Sequence, residues 1–424
     1  MGQIWYWLPN VFEDFFSDFG HRVSDFYELK RLDPSYRVFF EKEFIDVPAM
    51  IDDLKALLET YEKGSGPKLD KFLKEAKFKY GVAVDNLVHK PGLSILEFID
   101  INFITGPFKG DLLCSIRKHI RKFFNNPYIC TIMEFPVLFL GATAENTPAL
   151  YSFMNYADLG LGTWYPMGGM NEIAKAMQKV CQEQGVEFKF NTTVKGVEIN
   201  DKTLYRLKTD SGDFDADYFV ASCDYEHFDK SVLPEEKANY SQKYWDSRTM
   251  SPSGLIFYLG VNKKINNLKH HNLFFDESFD IHAHEIYEDP QWPSKPLFYV
   301  SATSKTDKTA PEGMENLFIL VPVASGLEDT QETRDKYFTD VMDRLEKHTG
   351  ESIRDHIIYN RSYAHNNFKE DYNAFKGNAY GLANTLLQTH ILKPSIKSKR
   401  LKNLYYTGQL TVPGPGVPPF NNLW

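Results

Sequence analysis

Apolar positions near the start of the chain recur at helical spacing. Phe12, Phe15, Phe16 and Phe19 share one face of the stretch from residue 9 to 20, with Pro9 in the first turn and Gly20 as the stop, which predicts a helix. Tyr36 to Phe40 then reads as a strand. From Pro48 to about Tyr156 the period is helical: Met50, Ile51, Leu54, Leu57, Leu58 and Tyr61 fall three and four apart, and similar spacing returns near residues 70, 113 and 150. This predicts a helical insert or subdomain. Gly168-Gly169 next opens a helix over Asn171 to Gln184, which Gly185 closes. Alternating and β-branched stretches follow at Glu187 to Phe190, Val194 to Ile199, Thr203 to Thr209 and Tyr218 to Ala221, the pattern of an α/β nucleotide-type domain. Further strands are expected at Gly254 to Val261, Leu273 to Phe275, Leu297 to Ala302 and Leu317 to Val323, then a helix from about Thr333 to His348, giving a mixed sheet with helices. No repeat of fixed period and no low-complexity tract interrupts this order.

Composition narrows the function classes. The 424 residues carry a formal net charge of -9, so the clustered basic surface that a phosphate backbone demands is not suggested, and nucleic acid drops out as a partner. Cys114, Cys130, Cys181 and Cys223 are far apart with no CxxC pair, which points away from a zinc knuckle or disulfide framework and towards a reducing cytoplasm. No apolar run reaches the length that spans a bilayer, and the first residues carry no recognisable targeting signal. Aromatic residues reach 15%, which suits either an aromatic-rich core or a large apolar ligand.

The familiar catalytic patterns are absent. Gly64-Ser65-Gly66 and Gly160-Leu161-Gly162 lack the third glycine and the preceding strand of a dinucleotide fingerprint, and no Walker loop, HExxH helix or GxSxG elbow occurs. His270, His271, His282 and His284 include a pair, His282 and His284, that would share a strand face, but no carboxylate or Cys completes a ligand set, so no metal is expected. The most informative segment runs from Asn403 to Pro419. There a strand enters a Gly/Pro loop whose glycines let backbone N–H groups approach a flat ligand or a pyrophosphate and whose prolines hold that backbone stiff. By its own residues it is equally a rigid turn.

Four segments in order carry a resemblance. Met1 to Phe12 (MGQIWYWLPNVF), Leu32 to Val38 (LDPSYRV), Gly162 to Met170 (GTWYPMGGM), and Gly377 to Leu382 (GNAYGL) followed by the C-terminal loop make the chain similar to bacterial phytoene desaturases and related carotenoid desaturases over nearly its whole length. The resemblance implies an FAD-linked oxidoreductase of the amine-oxidase-like superfamily, an α/β (α+β) fold in which a nucleotide-type α/β domain is interleaved with a mixed-sheet substrate domain and a helical membrane-facing part. The implied segments are 1–47 (remnant of the FAD domain and start of the substrate domain), 48–160 (helical, substrate- and membrane-facing), 161–230 (FAD domain, second segment), 231–376 (substrate-domain sheet and helices) and 377–424 (FAD domain, C-terminal segment). It also places Gly2, Val194, Gly408, Pro413, Gly414, Gly416, Val417 and Pro418 along FAD, and Trp164, Tyr165, Pro166, Gly168 and Gly169 near the substrate or flavin.

The departures from the family pattern matter too. The family opens with a strand, a GxGxxG turn and a helix holding the ADP half of the flavin, and Met1 aligns downstream of that unit. At the other end Phe420-Asn421-Asn422-Leu423-Trp424 stands where the family continues into a helix. The sequence as it stands is therefore expected to bind FAD weakly or not at all. The implied reaction is dehydrogenation of phytoene or another acyclic C40 carotenoid, with hydride passing to flavin and no catalytic base singled out. Related flavin-dependent isomerase, ketolase or saturase activities, or a flavin-free lipid-binding module, are the alternatives.

A substrate dissolved in lipid draws attention to residues 112–124. A helical wheel gathers Leu112, Leu113, Ile116, Ile120, Phe123 and Phe124 on one side and Arg117, Lys118, Arg121 and Lys122 on the other, the pattern of an in-plane helix on an anionic cytoplasmic membrane or of an amphipathic helix packed on the core. Membrane contact through Leu113, Ile116, Arg117, Lys118, Ile120, Lys122, Phe123 and Phe124 is the expectation carried forward, with the protein peripheral on that membrane.

Overall fold

The computed structural model describes residues 5–82, 114–140, 143–383, 385, 388, 392–412 and 414. The chain begins with helix α1 (Pro9–Asp18), whose Phe12 and Phe16 are buried, and three short strands, β1 (Leu29–Arg31), β2 (Tyr36–Phe39) and β3 (Phe44–Val47). The helical region follows as α2 (Ile51–Tyr61), α3 (Ser65–Val82), the single-turn α4 (Ile116–Ile120) and α5 (Pro127–Glu134). Then come β4 (Trp164–Pro166), α6 (Asn171–Glu183), β5 (Val194–Asn200), β6 (Thr203–Thr209), β7 (Phe214–Asp215) and β8 (Phe219–Ala221). The remainder is β9 (Ser253–Val261), β10 (His271–Phe274), α7 (Phe279–Tyr287), β11 (Phe298–Ser301), β12 (Glu315–Val323), α8 (Gln331–Thr349), β13 (Ile357–Tyr363), α9 (His365–Tyr372) and β14 (Leu404–Tyr406).

The largest sheet has seven strands in the order β13-β9-β12-β11-β10-β2-β3, antiparallel except where β10 meets β2. Its residues alternate faces, as strand geometry requires. Phe39, Phe257, Phe274, Phe298, Ile319 and Val321 point towards Tyr337, Val341 and Leu345 of α8, forming one core in which the rings of Phe39, Phe274 and Phe298 stack 4.5 and 4.2 Å apart. Their neighbours Tyr36, Val38, Ile256, Leu273, Tyr299 and Leu320 point the other way, into a second core shared with the helical region and with Trp5 and Trp7. The sheet is thus covered on both sides, by one long helix and by the helical subdomain.

Three smaller sheets are present among the described residues: β1-β4 and β5-β6-β7 are antiparallel, and β8 pairs in parallel with β14. Parallel strands are normally buried on both faces. Here Phe219 and Ala221 are buried while Tyr218 and Val220 remain 70% and 50% exposed.

Two expectations are corrected. Glu187 to Phe190 form no strand: among the described residues no other strand pairs with this backbone, and Val186, Phe188 and Phe190 are exposed. His282 and His284 do not share a strand face, because both lie on the nine-residue helix α7, which the strand reading overlooked.

Candidate active site

The segments singled out from sequence meet in two places. At the first, Trp164 N donates to Tyr6 O (3.1 Å), Leu32 N donates to Thr163 O (3.0 Å), and the Trp7 indole donates to Thr163 Oγ1 (2.9 Å). Strand β4 pairs with β1, setting Pro166 opposite Leu29 and Tyr165 opposite Lys30. Three stretches distant in sequence are thereby fastened side by side. Tyr165 is buried with its ring 4.6 Å from that of His270, while Trp164 is half-buried and its indole donates to Leu161 O. Gly168 and Gly169 both adopt left-handed φ (92° and 100°), a turn that glycine enters without steric cost before α6 begins, and Gly168 N donates to Asp307.

Around this junction lies an aromatic wall. The Trp5 ring stacks on His271 at 4.0 Å and lies 5.5 Å from both Tyr36 and Tyr299. His271 Nδ1 and the Tyr299 hydroxyl are 2.5 Å apart, and burial holds the imidazole well below its ordinary pKa, hence neutral. The Tyr36 hydroxyl donates to Asp158 Oδ2 (2.8 Å), and burial pushes the Asp158 carboxyl up to about 7.

At the second place, Gly377–Leu382 meets the Gly/Pro loop. Gln409 Nε2 donates to Asn378 Oδ1 (2.8 Å), and Gly381, at φ 75°, leaves no room for a side chain, since a Cβ would stand 2.3 Å from Gln409 O. The carboxyl ends of β8 and β14 lie side by side, with Thr407 N donating to Ala221 O. Gly408 and Gly414 follow with φ of 125° and 123°. Ligands of open α/β sheets bind outside the carboxyl ends of parallel strands, so this edge is where a nucleotide-type cofactor fits. Ser251 N donates to Gly381 O (2.9 Å) and the Ser253 hydroxyl donates to Gly377 O (2.6 Å), which fastens this segment to the start of β9 in the large sheet.

Val194 begins β5, opposite Thr209, and packs half-buried against the core that contains β8 and β14. Gly2, Pro413, Gly416, Val417, Pro418 and Leu113 lie outside the described residues. Expected membrane contacts are placed otherwise: Ile116, Ile120, Phe123 and Phe124 are buried against Leu69, Phe72 and Ala76 of α3, with Phe72 5.4 Å from Phe123. Arg117 is ion-paired with Glu134 (3.0 Å), whereas Lys118 and Lys122 are exposed. The apolar face of 116–124 therefore completes a core, and the in-plane reading is corrected for these residues. No described helix is long and apolar enough to cross a membrane.

Among the described residues no group of three or more His, Cys, Asp or Glu could hold a metal ion. His282 uses both ring nitrogens inside the fold, accepting from Leu297 N and donating to Pro322 O. Sequence reasoning missed the Tyr36–Asp158 and His271–Tyr299 pairs. A carboxylate inside the apolar run Tyr156 to Leu161 was the available signal for the first.

The mixed sheet with its aromatic cluster is joined to a parallel-strand edge with a glycine-rich turn, an arrangement that accommodates a nucleotide-type cofactor. The profile of the flavin containing amine oxidoreductases matches residues 23–414, and the chain belongs to that family. It is 36% identical over 99% of its length to a carotenoid 3,4-desaturase of Haloarcula japonica, covering 85% of that protein, and 27% identical over 97% to a zeta-carotene-forming phytoene desaturase of Myxococcus xanthus, covering 80%. A putrescine oxidase variant shares the fold at TM-score 0.56 and 9% identity, over 99% of this chain and 84% of that one. The cofactor of the family is FAD, and the carboxyl edge of β8 and β14 with its left-handed glycines suits it.

Proposed function

We propose that the protein carries out FAD-dependent desaturation of phytoene or a related acyclic carotenoid. The observation that carries this is the 36% identity to a carotenoid desaturase along 99% of the chain. The site is consistent with it, because Trp5, Trp7, Tyr36, Phe135, His271 and Tyr299 pack ring against ring in a buried, largely apolar cluster beside the junction. A polyene hydrocarbon has no polar handle, so its binding rests on burial, at roughly 25 cal/mol per Å² removed from water.

FAD, when bound, supplies hydride acceptance. The chain's own residues hold and orient the polyene and exclude water. Burial keeps the His271 imidazole neutral at pH 7 and holds the Asp158 carboxyl partly protonated there, so His271 adds no charge beside an apolar substrate and Asp158 is ionised in only part of the molecules. The segments around FAD are proposed to be 161–230 and 377–424, with 231–376 carrying the substrate sheet.

The test is incubation with FAD and phytoene followed by pigment extraction. Products with a lengthened chromophore are expected. Recovery of unchanged phytoene from preparations that hold flavin would overturn the proposal.

A further inference from the structure

Among the described residues Lys393 has no counter-charge. It is 4% exposed, and among the described residues its Nζ has no hydrogen-bond partner. Burial alone brings the amine down to about 7. Buried lysines are normally paired, because desolvating an ammonium without compensation is expensive. A lysine retained in such a place is explained by an anion that arrives with a ligand.

The position of Lys393 identifies that ligand. The next residue, Pro394, accepts from the Thr411 hydroxyl (2.5 Å), which ties the segment to the loop between Gly408 and Gly414. Ser395 N donates to the Tyr240 hydroxyl, and Ser395 O accepts from the Tyr225 hydroxyl, both at 2.9 Å. Tyr225 follows β8 closely in sequence and stacks on Tyr406, the last residue of β14, at 3.7 Å. The backbone that carries Lys393 is therefore anchored to the carboxyl ends of both parallel strands, where the cofactor edge lies.

We propose that Lys393 is a cofactor-binding residue whose ammonium pairs with an anionic oxygen of bound FAD, on the diphosphate or on the pyrimidine edge of the ring. The inference rests on the flavoprotein reading. It gives this lysine a role in holding charge, distinct from the backbone contacts of the glycine-rich loop.

The test compares wild type, Lys393→Met and Lys393→Arg, titrated to millimolar FAD and separately to millimolar riboflavin, with flavin fluorescence as the signal. Lys393→Met is expected to weaken FAD about tenfold or more, as loss of a charge-assisted bond does, while Lys393→Arg stays within about threefold of wild type. Riboflavin affinity unchanged in Lys393→Met assigns the diphosphate, and a parallel loss assigns the ring. Thermal melts without flavin provide a second readout. Removing an uncompensated buried amine should raise the melting temperature of Lys393→Met, whereas a lysine needed by the fold itself would lower it. Equal FAD affinity in wild type and Lys393→Met, or a lowered melting temperature without flavin, overturns the proposal. No flavin bound by wild type at all would overturn it together with the flavoprotein reading, and is told apart by the wild-type titration alone.

Discussion

Asp158 shows how one buried carboxyl shapes the behaviour of the protein. Its pKa is raised to about 7 by burial, against about 3.9 in an unfolded chain. Between those values the folded protein keeps a proton that the unfolded chain has released, so the contribution of this group to stability falls as pH rises from about 4 to 7 and levels off above. Asp158→Asn should remove that slope, on the order of 1 kcal/mol per pH unit at its steepest. Denaturant melts of both proteins at pH 5 and pH 7.5 check it, and parallel curves would show that Asp158 does not titrate in this window. Gly381 makes a sterically simpler case. A Cβ there would stand 2.3 Å from the backbone oxygen of Gln409, on a backbone already left-handed, so Gly381→Val should destabilise by about 3 kcal/mol or more and release the Gly/Pro loop from its neighbour. A melting temperature within a degree of wild type would contradict that. The sequence marked Gly381 through the Gly377–Leu382 segment, but not its reason, since the oxygen it accommodates belongs to a residue 28 positions later.

Among the elements, period was legible and partnership was not. The helices α1, α2, α6 and α8 and the strands β9 and β12 lie close to where apolar spacing put them, because each buries a stripe that its own sequence displays. Strands β1, β3, β4, β7 and β13 were missed; the first four are only two to four residues long, and β13 (IIYNRSY) shows no apolar alternation and has mostly exposed side chains. The segment 116–124 had the composition of a membrane-surface helix and was claimed by the core instead, since Phe72 on α3 supplied the apolar partner that the wheel could not show. Phe124→Ser should therefore cost about 3 kcal/mol or more of stability. Lys118→Glu with Lys122→Glu, at exposed positions, should change stability by less than about 0.5 kcal/mol. Sedimentation with anionic liposomes at two salt concentrations, run beside the melts, checks the assignment: salt-sensitive binding lost in the double Glu variant would restore the bilayer as a partner.

At the scale of the whole molecule, the candidate site is a matter of long-range assembly. Trp5 comes from the first residues, Asp158 and Trp164 from the middle, His271 and Tyr299 from the large sheet, and Tyr380 and Gly408 from the last part of the chain. The motif segments could be recognised one by one, whereas their meeting depends on sheet order, which no local pattern encodes. The exposed apolar side chains at 218–220 and in the irregular stretch 186–190 have a colloidal consequence. Tyr218 and Val220 on one, and Val186, Phe188 and Phe190 on the other, present oily stripes beside backbone groups of the kind that recruit further strands. Concentrated solutions should accordingly grow cloudy through molecules adhering to one another, and light scattering across a dilution series should fall steeply. Charging those stripes, with Phe190→Lys and Val220→Lys, should keep the solution clear at concentrations where the parent chain clouds.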